Sequence, residues 1–198
     1  MNERTSQTPT NAVMDEAELR SQLEEHHLAS YGWAMSCCRD DRELAEDALQ
    51  SAYLKILQGR ARYHGAASFR TWLFAVIRLT AGDERRRKWF RQLRLRNLER
   101  QETRDPVEAT YGDALDGTAR LIAFQQALAR LPARQRQILH LVFYQDLTLQ
   151  EASEVMGVAV GSARTHYERG KHALRAWLEK SVYFDEYGIR ESAQRIIR

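Results

Sequence analysis

Apolar residues recur at three- and four-residue steps along most of the chain, which is the spacing of one face of an α-helix. A first helical region is predicted to begin after Asp15 and to give way to polar residues around Asp40 and Asp41. No segment combines sustained alternation of apolar and polar positions with β-branched residues, as a strand would. The sequence therefore predicts an all-α protein.

Two further helices are predicted from their apolar stripes. The first ends at Gly59. Its apolar stripe consists of Leu44, Ala48, Ala52 and Ile56, and three further apolar residues lie beside the stripe: Leu49, Tyr53 and Leu57. A loop containing Gly65 and Ser68 separates it from the next helix. That helix carries Phe69, Trp72, Leu73, Val76 and Ile77 and ends in a burst of positive charge.

The helical pattern weakens between about residues 100 and 119, where Pro106 and two glycines lie among acidic residues. This composition is typical of a flexible linker. Dense helical patterning then resumes, and Pro132 fits the first turn of a new helix. We predict two small helical domains, residues 15–98 and 120–180, a flexible acidic linker, residues 99–119, and a tail of unassigned role, residues 181–198.

The segment from Thr148 to Arg175 predicts two short helices around Gly157, which can adopt a turn conformation that other residues resist. The second helix turns one face inward: Ala163, Tyr167, Gly170 and Leu174. Its other side carries basic and hydrogen-bonding residues: Ser162, Arg164, Thr165, His166, Arg169 and Lys171. Such a helix-turn-helix can place its second helix in the major groove of DNA. The alternative is a solvated helix in an ordinary bundle, which Glu168 favours.

Composition and charge support this interpretation. The 198 residues are 43% apolar and 29% charged, which is typical of a soluble globular protein. The formal net charge is only +3, but arginines are crowded into particular segments, and this distribution indicates contact with a polyanion.

Targeting and metal-binding signals are weak. The start, MNERTSQTPTNA, lacks the order of a signal peptide, and no apolar run approaches the roughly 18 residues that cross a bilayer, so we expect a cytoplasmic protein without membrane insertion. Cys37 and Cys38 are adjacent, and we interpret them as small buried residues of a protein in a reducing compartment. Together with His26 and His27 they could be imagined as zinc ligands, but adjacent cysteines lack the spacing that zinc sites usually have. The sequence also contains no recognisable catalytic motif, so we expect that the protein is not an enzyme and binds no metal or cofactor.

The segment LPARQRQILHLVFYQDLTLQEASEVMGVAVGSARTHYERGKHALR resembles region 4 of the extracytoplasmic-function (ECF) sigma factors of bacterial RNA polymerase. In that family this domain reads the minus-35 promoter element as duplex DNA. The resemblance implies base and phosphate contacts by the exposed residues of the second helix. Val160 departs from the family, which often has proline at the start of this helix.

The segment RELAEDALQSAYLKIL resembles the region 2 helix with which sigma factors bind the clamp helices of the polymerase. The resemblance implies polymerase binding by Asp47 and Gln50, which share a helix face with Glu46 and Glu43. The alternative for this helix alone is a solvated acidic face.

The segment SFRTWLFAVIRLTAGDERRRKWFRQLR resembles the family's helix for the minus-10 element. The resemblance implies DNA contacts by Asp83, Arg86, Arg87 and Lys88, and a pocket for unstacked bases formed by the loop HGAASF with Asp83. We predict that Trp72 and Phe74 belong to the core and that Trp89 and Phe90 are exposed. Leu79 stands where many family members have asparagine, so the promoter sequence does not transfer from relatives.

Together the resemblances imply a sigma factor that binds core RNA polymerase and promoter DNA, that performs no chemistry, and that an anti-sigma factor holds inactive. They also imply that the acidic linker threads the polymerase channel; a solvated tether is the alternative. The competing function is a polymerase-independent helix-turn-helix regulator. Such a regulator would bind a twofold operator tightly by itself.

Overall fold

The computed structural model describes residues 14–98 and 127–180, and every regular element within these ranges is an α-helix. The helices are α1 (Glu16–Glu25), α2 (His27–Cys37), α3 (Arg42–Leu57), α4 (Phe69–Leu98), α5 (Ala133–Phe143), α6 (Leu149–Met156) and α7 (Val160–Lys180). The predicted all-α class is confirmed. The predicted linker, residues 99–119, and tail, residues 181–198, lie outside the described residues.

Side-chain caps explain where the first helices begin. The carboxylate of Asp15 accepts a hydrogen bond from the backbone N–H of Glu18 at 2.7 Å, and Asp41 accepts one from Leu44 at 3.1 Å. The first helical region is divided at His26, which ends α1 and precedes α2. Helix α3 ends before Gly59, whose φ of 68° is in the left-handed region.

Helices α2, α3 and α4 enclose the core of the first domain. Trp33 and Phe74 are fully buried, and the indole N–H of Trp33 donates to the carbonyl of Phe74 at 2.9 Å. Cys37 and Cys38 are buried, as predicted. Leu57, which the sequence places beside the buried stripe, is 48% exposed and lies on the outer face of α3.

The second domain is built from α5, α6 and α7. At Gly170 the helices α7 and α5 approach closely, since a Cβ atom there would lie 3.1 Å from a methyl carbon of Leu139. Pro132 is not in the first turn of α5 but immediately precedes it, and its carbonyl accepts the first backbone bonds of the helix. No helix in the described part of the chain has the length and apolarity needed to span a bilayer.

Two features define the ends of α6, and the sequence predicts the second of them. Thr148 and Glu151 form a reciprocal capping box at the start of α6, in which each side chain bonds to the other residue's backbone N–H. Gly157 ends α6 with a φ of 60°, which confirms the predicted turn.

The two domains pack against each other, which the sequence did not predict. Helix α5 lies against α2, and α6 lies against α4. We call the first of these packings the interdomain contact: it is formed by Ala29, Trp33, Ser36 and Cys37 of α2 with Arg136, Gln137, His140 and Gln145 of α5 and the turn after it.

Candidate nucleic-acid and polymerase interfaces

Helix α7 presents the predicted recognition residues on its outer side. Ser162, Arg164, Thr165 and Arg169 are exposed, whereas His166 and Lys171 are partly buried. The opposite side is closed by Ala163, Gly170 and Leu174, as the spacing predicts. The capped turn thus holds a basic helix face outward, which is the arrangement that fits a major groove.

Two of these residues are partly committed to contacts within α7. The hydroxyl of Thr165 donates to the carbonyl of Gly161 at 2.9 Å, which leaves its methyl group and oxygen lone pairs for a ligand. The ammonium of Lys171 lies 5.1 Å from the centre of the Tyr167 ring. Arg164 and Arg169 are therefore the strongest candidates for new contacts with DNA.

On α4, the four residues predicted to contact the minus-10 element all form ion pairs within the first domain. Asp83 binds Lys55 at 3.3 Å and also Arg86. Partial burial raises the pKa of Asp83, but these two cations outweigh burial and hold it below its usual value. Asp83 therefore orients its cationic neighbours as an ionised carboxylate.

Of the other two residues of this set, Arg87 forms its ion pair within α4, and Lys88 connects α4 to the start of α3. Arg87 binds Glu84 at 2.8 Å, and Lys88 binds Asp41 at 2.7 Å. Asp41 also caps α3, so its carboxylate fixes the start of α3 against α4. The hydrogen bond to Asp41 raises the pKa of Lys88. Lys88 thus has a structural role beside its predicted contact with DNA.

Aromatic residues surround the loop before α4. The rings of Tyr63, Phe69 and Trp72 lie 5.2–5.5 Å apart, and the Tyr63 hydroxyl donates to the carbonyl of Ala67 at 2.7 Å. Trp72 is only partly buried, whereas Phe74 is fully buried. The core assignment is thus confirmed for Phe74 and holds only in part for Trp72.

Further along α4, Trp89 and Phe90 are exposed as predicted, at 56% and 54%. Their rings contact edge to face, with centres 4.8 Å apart.

Helix α3 presents the predicted polymerase-binding residues on its outer face. Glu43, Glu46, Asp47 and Gln50 are all exposed, and Glu46 binds Arg42 at 2.9 Å. Leu54 and Leu57 extend this face with about half of each side chain exposed. Sequence reasoning missed them, although the steps from Asp47 through Gln50 to Leu54 and Leu57 are helical and would have revealed them. We call this set the α3 outer face.

The conceivable zinc ligands have other partners. The His26 ring stacks on Phe69, and His27 lies 3.3 Å from the Tyr53 hydroxyl. Burial raises the pKa of the Cys37 thiol above its usual range and that of Cys38 to about 11, so both thiols are protonated at neutral pH. Within residues 14–98 and 127–180, no three such side chains are grouped for a metal ion.

Two protein-family models match the sequence of this chain. Sigma-70 region 2 matches residues 23–91, and Sigma-70, region 4 matches residues 121–174. The two matches lie in the two helical domains, in the order that the sequence predicts.

The chain is also similar to known sigma factors. It is 35% identical over 130 residues to the ECF RNA polymerase sigma factor SigF of Caulobacter vibrioides, covering 65% of this chain and 68% of SigF. It is 30% identical over 152 residues to the ECF RNA polymerase sigma factor SigM of Mycobacterium tuberculosis, covering 75% of this chain and 71% of SigM.

Among solved structures, the fold is similar to that of the sigma factor RpoE from Bartonella quintana, co-crystallised with the anti-sigma factor NepR. The TM-score is 0.58 at 23% identity, over 82% of this chain and 98% of RpoE. Both sigma regions are present in the expected order, and two ECF sigma factors are at least 30% identical to the chain. The chain therefore belongs to the ECF sigma factors of bacterial RNA polymerase.

Proposed function

We propose that this sigma factor binds core RNA polymerase through the α3 outer face and directs it to promoters through α4 and α7. In this proposal α4 and the loop before it hold the opened minus-10 element, while α7 reads the minus-35 element as duplex DNA. The protein performs no chemistry itself and acts in the cytoplasm beside the polymerase.

The observation that carries the proposal is the presence of two unlike exposed surfaces on separate domains. The α3 outer face is acidic at Glu43 and Asp47 and apolar at Leu54, which suits a protein partner. The outer side of α7 is basic, which suits DNA. A helix-turn-helix regulator that works alone has no need of the first surface.

At the minus-35 element, we propose that Arg164 contacts a base, since it is exposed near the start of α7. Arg169, which lies further along α7, and Lys171 hold phosphates. At the minus-10 element, Arg86 supplies positive charge, because its side chain is 72% exposed despite its bond to Asp83.

We further propose that an anti-sigma factor holds the protein inactive. The structurally similar RpoE was crystallised with its anti-sigma factor NepR. The α3 outer face is the surface whose covering would block polymerase binding, since half-exposed Leu54 and Leu57 offer apolar area to a protein partner.

The proposed function is tested by transcription in vitro from candidate promoters with core polymerase and the purified protein. Asp47→Ala is expected to weaken association with core polymerase. Arg164→Ala is expected to leave that association intact and to reduce promoter-specific transcripts, by about tenfold or more for a lost base contact. Glu24→Ala and Arg20→Ala remove exposed charges from α1 and serve as matched controls.

Two results would contradict the proposal. One is a failure of the protein to associate with core polymerase. The other is tight binding to a twofold symmetric duplex without core polymerase, measured by gel shift, which would support the polymerase-independent regulator instead.

A further inference from the structure

A cleft of about 360 Å³ lies between the turn after α2 and the start of α5. Arg39 and Asp40 line it from the first domain, and residues 129–133 together with Arg136 line it from the second. We call it the arginine cleft, because Arg39, Arg130 and Arg136 face the single carboxylate of Asp40 there. Three positive charges and one negative charge give the lining a net charge of +2. The volume is at the lower end of the range for small-molecule sites, about 300–1,000 Å³.

The Arg136 side chain is buried in the wall of this cleft without an anionic partner. The residue is only 6% exposed, and its Nε atom makes no hydrogen bond. Its terminal nitrogens donate long bonds, at 3.4 Å to the carbonyl of Ala129 and at 3.5 Å to that of Ser36. No ion pair in the described part of the chain includes Arg136. A buried charge without a counter-charge is costly, so this guanidinium is suited to an added anion.

The charges around Arg136 do not compensate for its burial. Burial lowers the pKa of Arg136; Asp40 opposes this shift, and Arg39 and Arg85 add to it. Burial also raises the pKa of Asp40, so the attraction between Asp40 and Arg136 is weaker than the cost of removing the carboxylate from water. An anion in the cleft would stabilise the positive charge that the protein itself leaves uncompensated.

The start of α5 supplies two further hydrogen-bond donors beside the cleft. Pro132 precedes the helix, and no side chain caps it. Within residues 14–98 and 127–180, the backbone N–H groups of Ala133 and Arg134 therefore have no acceptor. The free N-terminus of a helix of 11 residues carries a partial positive charge and attracts anions. This end of α5 and the guanidinium of Arg136 thus favour the same kind of ligand.

Arg39 and Arg130 extend the site toward solvent, one from each domain. Both are exposed, and neither takes part in an ion pair with another described residue. The guanidinium of Arg130 lies 5.3 Å from the centre of the Trp177 ring, which orients the cation without neutralising it. Both side chains can therefore reach a ligand that Arg136 and the start of α5 hold from inside.

We infer that the arginine cleft binds a phosphoryl group, carried by a small phosphorylated molecule or present as free phosphate. Arginine side chains and a free helix N-terminus are the groups that bind phosphate oxygens best in proteins. A phosphoryl group with nearly two negative charges matches the net charge of the lining. The site lies away from the outer side of α7 and from the α3 outer face, so the inference does not rest on the proposed function.

Isothermal titration calorimetry of the full chain tests this inference, with inorganic phosphate and adenosine monophosphate as separate probes at constant ionic strength. We expect saturable binding of one equivalent. Tighter binding of the monophosphate would identify a phosphorylated molecule as the ligand, and equal affinities would identify the phosphate ion. Arg39→Gln and Arg130→Gln should each weaken binding by about tenfold, as expected for a lost charge-assisted hydrogen bond. Arg60→Gln removes an exposed arginine outside the cleft and should leave binding unchanged.

Three results would overturn the inference. The first is the absence of saturable binding of both probes. The second is an equal loss of affinity in Arg60→Gln and in the two cleft variants, which would indicate general attraction of anions to a basic protein. The third is an effect of Arg39→Gln and Arg130→Gln on duplex DNA binding alone, which would assign the cleft to the DNA-binding surface.

A second measurement distinguishes a ligand-binding Arg136 from a purely structural one. Phosphate should raise the unfolding temperature of the parent protein above that in chloride of equal ionic strength, because only the folded chain has the site. Arg136→Met should show no such rise. Without phosphate this variant should be at least as stable as the parent protein, since it replaces an unpaired buried charge by an apolar side chain. A marked loss of stability there would show that the protein alone satisfies Arg136, and would overturn the inference.

Discussion

At the scale of single residues, Thr148 and Gly157 fix the two ends of α6 and hence the angle at which α7 leaves the turn. The Thr148 hydroxyl accepts from the backbone N–H of Glu151 at 3.2 Å, and the Glu151 carboxylate accepts from the backbone N–H of Thr148 at 2.8 Å. These bonds to Thr148 lower the pKa of Glu151. The cap therefore depends on an ionised carboxylate.

We predict that Thr148→Ala lowers the free energy of unfolding by about 1 kcal/mol, because it removes the side-chain cap of α6. Urea denaturation followed by circular dichroism measures the change. Thr148→Ser keeps the hydroxyl and should stay close to the parent protein. An equal loss in both variants would show that the cap is not the cause.

Arg169 is predicted to act on DNA through charge alone. Arg169→Ala should weaken binding to different minus-35 sequences by a similar factor and reduce the slope of log affinity against log salt by about one. Holoenzyme binding to labelled promoters at several salt concentrations measures both. Glu168→Gln, on the neighbouring exposed position, removes the opposite charge and should strengthen binding. A sequence-dependent loss in Arg169→Ala would instead indicate base readout.

At the scale of helices, α7 packs closely on α5 at Gly170, where a Cβ atom would lie 3.1 Å from a methyl carbon of Leu139. We predict that Gly170→Val lowers the free energy of unfolding by about 1–3 kcal/mol, because the added carbons would meet Leu139 and Gln135. Thermal or urea unfolding checks this. Gly161→Ala is the matched control in α7, since a Cβ atom there meets nothing within 4 Å. An equal effect of the two variants would contradict the close approach.

The α3 outer face yields a second prediction at this scale. Leu54→Ala should weaken binding to core polymerase by about tenfold, as expected for a leucine that becomes buried in an interface. Stability should change little, because Leu54 is already half-exposed. Leu28→Ala removes an 83% exposed leucine from α2 and is the control. Unchanged binding of polymerase by Leu54→Ala would exclude this end of α3 from the interface.

At the scale of the whole molecule, His140 connects the two domains. Its ring lies 5.5 Å from that of Trp33 in α2 and 5.2 Å from that of Tyr144. Burial, with Arg136 nearby, lowers the pKa of His140 to about 4. The ring is therefore neutral in the packed molecule at any pH above that value.

We predict that acid destabilises the packed molecule through His140. Between pH 6.5 and about 4, the unfolded chain binds a proton at this position and the folded chain does not. The free energy of unfolding therefore falls as pH falls through this window, by about 3 kcal/mol at its lower end.

Denaturation at several pH values measures the slope. His140→Gln keeps a polar side chain but cannot titrate, so its stability should vary less with pH across the same window. Parallel curves for the two proteins would show that His140 is not responsible.

The sequence predicted local features well and predicted side-chain environments less well. Asp15 and Gly157 act where the sequence places them, because caps and left-handed turns depend on a few neighbouring residues. Leu57 was placed beside the buried stripe and is half-exposed, because periodicity cannot say how much of a helix its neighbours cover. The ion pairs of Asp83 and Lys88 were missed, since their partners lie 28 and 47 residues away.

The sequence alone determined the helical class, the two domains in their order and the faces of α3 and α7, because these follow from periodicity and from motifs within single segments. Only the tertiary structure decided that α5 packs on α2, that the His140 ring packs beside Trp33 and that Arg136 meets the arginines of the first domain. These features join residues about 100 positions apart. No local pattern encodes them, because the balance of burial, polar pairing and charge across the contact exists only after both domains have folded.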